Sequence, residues 1–211
     1  MKRFAPLLIS FLLLLTSCAD QPAAPTSTPA ALVDLPESSQ PGDCSETTYT
    51  APETPAEIPG YLDLDPATGL HMTGVVQEID LPTYRLKISG LVDHPLELRY
   101  EELRCLPKIS DDPLLICEGF FEDKATWAGV PLVDVLNLAG VQPEASEITL
   151  VSADGYQVGI NLNEAQQEKN FLAYEVNGEM LPILHGFPLR AVFPGKNGNF
   201  WLKWLVEIRV N

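Results

Sequence analysis

From Leu70 onward the apolar residues of this chain alternate over short runs, and no stretch between them is long enough for a large helix. "TYRLKISG" sets Tyr84, Leu86 and Ile88 against Arg85 and Lys87 and stops at Gly90, the period-two signature of a half-buried strand. "WLKWLVEIRV" sets Leu202, Trp204, Val206, Ile208 and Val210 against Lys203, Leu205, Glu207 and Arg209. "EITLVSADGYQVGINL" reads as two strands around an Asp154-Gly155 turn, and Asn177-Gly178 in "LAYEVNGEMLP" is a strong short hairpin signal. "LLIC" and "LRAVFP" read as short buried strands, "LELRYEELRCLP" as a strand and a helical turn stopped by Pro107, and "NEAQQEKN" as a short polar helix. The clearest helix is "VPLVDVLNLAG". Pro131 suits its first turn, Leu132, Val135, Leu136 and Ala139 make one face, and Gly140 suits its C-terminal cap. Many short strands with short helices between them predict an α+β domain with a mixed or antiparallel sheet, and a regular βαβ repeat is missing.

The N-terminal part has a different character. Lys2 and Arg3 precede an apolar run from Phe4 to Leu15, and "LTSC" closes it at Cys18. This pattern predicts an export signal over residues 1–18. "LTSC" resembles a bacterial lipobox, with cleavage before Cys18 and a lipid on its sulfur, so a lipid anchor outside the cytoplasmic membrane is expected. Nine of the 19 prolines lie between Pro22 and Pro66, among Ala, Ser and Thr. Residues 19–69 therefore read as a semi-extended tether, and residues 70–211 as a single folded domain. Asp and Glu number 29 against 13 Lys and Arg, a formal net charge of -16. Such a surface repels nucleic acid, and an anionic ligand needs a local cluster of the few cations.

The chemistry narrows to few residues. GxGxxG, GxxxxGK[ST], HExxH and GxSxG are absent, which sets aside common nucleotide, zinc-protease and hydrolase designs. Of the four cysteines, Cys44 and Cys105 could pair in an oxidising compartment. Cys117 is then left over. It reads as a packed core residue, a nucleophile or a metal ligand. A nucleophile needs a histidine base, and only His185, of His71, His94 and His185, sits in a Gly/Pro-framed loop. Zinc needs more ligands than this spacing supplies. A soft metal already held by an organic cofactor needs one thiolate. "HGFPLRAVFPGKNGNFWLKW" gathers His185, Arg190, Lys196 and Lys203 among glycines and prolines, a composition suited to an anion or to solvated strand edges.

Five stretches in series resemble the molybdopterin-binding domain of the sulfite oxidase family: "YRLKISGLVDHPLELRYEELRCLP", "CEGFFEDKATWAGVPLVDVLNLAGV", "SADGYQVGINLNEA", "LAYEVNGEMLPILHGFPLRAVFPG" and "LKWLVEI". The spacing from Cys117 to Trp127 and Pro131 is similar to the periplasmic methionine-sulfoxide reductase branch. The resemblance implies an α+β sulfite-oxidase-type fold around a single pyranopterin, with Cys117 the protein ligand to molybdenum. It implies that Arg190 and Lys203 bind the pterin or its phosphate, that His185 and Lys196 lie in the same motif, and that Asp154, Gly155 and Tyr156 form the pocket wall. Oxygen-atom transfer with a small-molecule oxo donor or acceptor is the implied activity. Cys117 and Tyr156 are the expected catalytic residues, with an electron-transfer partner in the membrane. No haem domain and no counterpart of the immunoglobulin-like dimerisation domain are found, so no haem and a monomer are expected. The upstream Asn/Arg/His-bearing segment of relatives finds no counterpart between Pro66 and Thr83. The competing expectation is a non-catalytic extracytoplasmic binding module that kept the fold without the cofactor.

Overall fold

The computed structural model describes residues 47–211. The expected signal, lipidated Cys18, Cys44 and the first part of the tether lie outside the described residues. The structure is mixed sheet with few short helices, as the alternation predicts. One sheet has the order β2-β1-β12-β7-β8, from β1 (Leu86–Gly90), β2 (Leu96–Leu98), β7 (Glu147–Ser152), β8 (Gln157–Asn161) and β12 (Leu205–Val210). Its β1–β12 pair is parallel and the other pairs are antiparallel. A second, antiparallel sheet joins β3 (Ile109–Asp111), β6 (Trp127–Pro131), β9 (Phe171–Val176), β10 (Glu179–Met180) and β11 (Arg190–Val192). A separate hairpin is made by β4 (Leu114–Cys117) and β5 (Phe121–Lys124). The helices are α1 (Tyr100–Cys105), α2 (Leu132–Ala139) and α3 (Leu162–Ala165). Among the described residues no helix is long and apolar enough to cross a membrane.

Local chemistry explains most of these boundaries. In α2, Leu132, Val135, Leu136 and Ala139 are all buried. Gly140 closes the helix at φ 68°, a left-handed conformation that costs glycine little, and its N–H reaches Leu136 and Asn137. Pro131 is the N-cap, one position before the first turn. Asn177 and Gly178 both take positive φ between β9 and β10, the turn that their dipeptide favours. All six residues of β9 are buried, and the strand is central, with β6 on one side and β10 and β11 on the other.

Three expectations need correction. "LLIC" is a short strand but not a buried one; it is half of the β4–β5 hairpin, with Leu115 buried and Leu114 42% exposed. The polar helix expected over "NEAQQEKN" is one turn, Leu162–Ala165. "WLKWLVEIRV" is not one strand. Trp204 takes φ 51°, and the register with β7 shifts between Leu205 and Glu207. Leu205 is therefore buried and Val206 only partly so, the reverse of the simple alternation. A one-residue slip moves side chains to the other face, and here it frees residues 201–204 from the sheet.

Part of the stretch read as tether is folded. The Leu62 N–H donates to Met72, Met72 donates back to Asp63, and Leu64 bridges His71. Asp65 is 4% exposed. Cys105 is disulfide-bonded, and since Cys117 is free its partner lies outside the described residues.

The second sheet depends on close backbone approach at the β6 bulge. A Cβ on Gly129 would overlap the Leu172 carbonyl group and the Ala173 Cα. Gly129→Ala should lower the unfolding free energy by about 3 kcal/mol. Chemical denaturation measures this, and an unchanged midpoint would contradict that packing.

Candidate functional site

The site is built where the irregular strand ends meet. The β4 strand ends at Cys117, whose neighbour Ile116 bridges Asn197. A Cβ on Gly198 would collide with the Cys117 sulfur, so glycine lets the 197–200 turn lie directly against it. The Asn197 side chain accepts from the Asn199 N–H and shapes this turn. Residues 201–204 then run past Gly186, whose φ of 111° and bare Cα let the Lys203 backbone approach. Cys117, Asp154, Tyr156, Gly198 and Lys203 line one cavity of about 510 Å³, together with Thr73, Gly74, Trp201 and Trp204.

The cations are unusually buried. Arg190 is 4% exposed and Lys203 is 8% exposed. Arg190 lies over Trp127 at 4.8 Å and Trp201 at 6.0 Å, and donates to the His185 carbonyl at 3.3 Å. Among the described residues its Nε, the Trp127 Nε1 and the His185 Nδ1 are buried without a hydrogen-bond partner. Lys203 Nζ donates to the Thr73 and Leu184 carbonyls, each at 2.9 Å, which uses two of its three hydrogens. Burial pulls the Arg190 pKa down to about 10. Burial and then the Arg190 charge push Lys203 well below an ordinary lysine. For Cys117, burial raises the thiol pKa, with Arg190 and Lys203 pulling it down and Asp123 pushing it up.

Two pairs support this wall, and both use residues that the sequence reading left aside. The His185 Nε2 faces Asp65 Oδ2 at 2.9 Å and Thr68 Oγ1 at 2.9 Å. Burial, with Lys203 and Arg190 nearby, lowers the His185 pKa to about 3 against the pull of Asp65. The ring is therefore neutral, with its proton on Nε2 toward the carboxylate. Burial pushes the Asp65 carboxyl up, but hydrogen bonds from Ala67, Thr68 and His185 outweigh it and hold it below the usual value. The second pair is His71 and Asp123. His71 Nδ1 meets Asp123 Oδ1 at 2.6 Å, the His71 N–H donates to Oδ2 at 2.8 Å, and Phe121 stacks on the imidazole at 4.4 Å.

The structure thus gathers Cys117, Asp154, Tyr156 and Lys203 at one cavity, with Arg190 and His185 behind its wall. Gly155 turns the chain at φ 87° before Tyr156, whose hydroxyl donates to the Asn199 carbonyl. Lys196 goes elsewhere: it pairs with Glu164 at 2.7 Å, lies over Phe200 and is not in the cavity lining. Asp65, Thr68, His71, Thr73 and Asp123 were missed. Their partners lie 52 to 130 residues away, and the Pro-rich composition around Asp65 hides them. Among the described residues no group of three His, Cys, Asp or Glu is placed to hold a metal, so a metal at Cys117 needs ligands from outside this set.

Residues 72–211 match the family described as the oxidoreductase molybdopterin binding domain. The chain is 36% identical over 143 residues to the uncharacterized oxidoreductase YuiH of Bacillus subtilis, covering 66% of this chain and 71% of that protein. It is 31% identical to the putative protein-methionine-sulfoxide reductase subunit YedZ1 of Azospira oryzae, over 58% of this chain and 47% of the relative. It is 32% identical to the sulfite oxidase of Arabidopsis thaliana, over 62% of this chain and 42% of that enzyme. The chain therefore spans less than half of the latter two. The sulfane dehydrogenase SoxCD of Paracoccus pantotrophus superposes with a TM-score of 0.61 at 24% identity, over 81% of this chain and 57% of the other, which speaks for the fold.

The neutral, buried His185 sets a pH dependence. Its folded-state pKa near 3 lies below the ordinary 6.5, so the unfolded chain takes the proton first as pH falls. Its contribution is fully present above pH 6.5 and is lost on the way down to about 3, on the order of 4 kcal/mol. Denaturation between pH 7 and 4 should show this acid-side loss, and His185→Gln should flatten it.

Proposed function

Because the chain belongs to the oxidoreductase molybdopterin binding domain family, we propose that it is an oxidoreductase working by oxygen-atom transfer at a molybdenum centre ligated by Cys117. The observation that carries the reading is the coincidence of one thiol with two buried cations and partnerless buried donors. A buried donor without a partner costs about 1–3 kcal/mol, and a buried charge costs more. A pyranopterin bearing a phosphate and two sulfurs offers acceptors and negative charge for that wall. The residues present therefore fit the group.

In this reading Cys117 supplies the protein ligand, from a strand end that the 197–200 turn holds in place. Lys203 holds the cofactor's anionic part at the cavity, and Arg190 adds positive charge from behind the wall. Trp127 and Trp201 keep the Arg190 guanidinium flat and dry. His185 serves as a neutral strut: its Nε2 ties the Arg190 loop to Asp65, and its Nδ1 is left to receive a donor. The Asp154-Gly155 turn presents Tyr156, 45% exposed at the cavity, to the substrate. Lys196 takes no part, since Glu164 occupies it. The bound group supplies two-electron redox chemistry, with an oxo group moving to or from the substrate. The substrate is a small oxo donor or acceptor. Sulfite is disfavoured, because among the described residues Lys203 is the sole cation lining a cavity that also presents Glu118 and Asp154.

The reading extends to location. Lys2 and Arg3, the apolar run to Leu15 and "LTSC" support lipidation at Cys18 outside the cytoplasmic membrane. A net charge of -16 favours a basic electron-transfer partner at that membrane.

Cys117→Ser should lose essentially all oxo-transfer activity and its molybdenum while still unfolding cooperatively, at the midpoint of the metal-free parent. Metal analysis, turnover with a dye donor and thermal denaturation check this, and a fully active Cys117→Ser would refute the ligand assignment. Cys18→Ala should move the protein from the membrane fraction to the soluble fraction on cell fractionation.

A further inference from the structure

The β4–β5 hairpin places a carboxylate beside the proposed metal ligand. Cys117 pairs with Phe121 and Leu115 pairs with Asp123. Side chains two apart on a strand share a face, so Leu115, Cys117, Phe121 and Asp123 all lie on one side of the hairpin. That side is the inward one: Leu115 and Asp123 are each 3% exposed. Glu122 and Lys124 on the other side are exposed. Asp123 is the diagonal neighbour of Cys117, a relation of about 7–8 Å in antiparallel pairs.

Asp123 is also satisfied in a singular way. Among the described residues its hydrogen bonds come from His71 alone, the N–H to Oδ2 at 2.8 Å and Nδ1 to Oδ1 at 2.6 Å. The imidazole lies parallel to Phe121, at 4.4 Å and 14°, and Phe121 is the cross-strand partner of Cys117. Neither Asp123 nor His71 lines the large cavity, so neither is placed to touch substrate. The Asp123 carboxylate stands behind Cys117. Arg190 and Lys203 bring positive charge to the same region, and each of the two, like Cys117, feels Asp123 electrostatically.

We propose that Asp123, fixed by His71, is a positioning charge that lowers the reduction potential of the metal held by Cys117. The proposal rests on Cys117 being that ligand. Each electron added to the metal raises the negative charge of the centre, and a buried carboxylate one hairpin diagonal away opposes that addition. Its charge is screened little, because the inward face excludes water. The sequence "LLICEGFFED" carries the device in the spacing Leu-x-Cys and Phe-x-Asp across a short turn. His71 supplies the donors that keep the carboxylate in place and spares Arg190 and Lys203 that duty. Those two cations remain for an anionic ligand.

The test is a mediated redox titration of the purified holoenzyme with dithionite as electron source, following the Mo(V) electron paramagnetic resonance signal. Molybdenum and pterin content are measured on each sample. Asp123→Asn keeps the shape, removes the charge and should shift the midpoint potential upward at unchanged metal content. Asp123→Glu should return it toward the parent value. Glu122→Gln removes the same charge from the outward face and should leave it in place. If Asp123→Asn does not fold, His71→Phe serves instead. It keeps a ring against Phe121 and the backbone N–H bond to Oδ2, takes away the Nδ1 donor, and should displace the potential because the carboxylate loses one of its two hydrogen bonds. An unshifted potential in loaded Asp123→Asn, or in loaded His71→Phe where that variant stands in, overturns the proposal and leaves the ligand reading standing. A parent protein without molybdenum overturns both.

Discussion

Two cations kept out of water are the constraint around which this site is arranged. Arg190 and Lys203 are 13 positions apart in sequence and both almost fully buried. A charge in such a place is costly unless something answers it. Within the chain the answers are partial: two backbone carbonyls for the lysine, one carbonyl and two indole faces for the arginine, and Asp123 at a distance. Among the described residues the Arg190 Nε is left without a partner. A fold that holds this much positive potential beside a free thiol is suited to an anionic ligand.

The rest of the architecture serves that arrangement. The mixed sheet ends at a bulge, which releases residues 201–204 to line the cavity rather than extend β12. Glycine at 186 and at 198 lets two backbone segments close on Lys203 and on Cys117. Two histidine–aspartate pairs then brace the wall, one behind Arg190 and one behind Cys117. In each pair a carboxylate fixes an imidazole nitrogen, but the environments differ. His185 is fully buried and neutral, whereas His71 keeps a side chain 25% exposed.

What was legible in the sequence is local. Asn177-Gly178, the 132–139 helix with Gly140 behind it, and the Asp154-Gly155 turn all follow from conformational preferences of a few adjacent residues. The alternation in "TYRLKISG" yields β1. The same rule misreads "WLKWLVEIRV", because a bulge and a positive φ at Trp204 arise from packing against Gly186 and β7. Residues Cys117, Arg190 and Lys203 stood out because a free thiol and clustered cations are rare in so acidic a chain. Asp65 and Asp123 did not stand out. "FFEDK" looks like a solvated turn, and only the hairpin register shows that Asp123 faces inward while Glu122 does not. His71 sits where no upstream counterpart was found, yet it and Thr73 are held to the site by contacts spanning 52 and 130 residues.

The central claim is that the wall of Arg190, Lys203 and Cys117 holds a molybdenum-bearing pyranopterin. The most direct measurement is elemental analysis for molybdenum with pterin fluorescence on the full-length protein, purified folded from a host that makes the cofactor. The account predicts close to one molybdenum and one pterin per chain. Folded protein from that host with neither would contradict it.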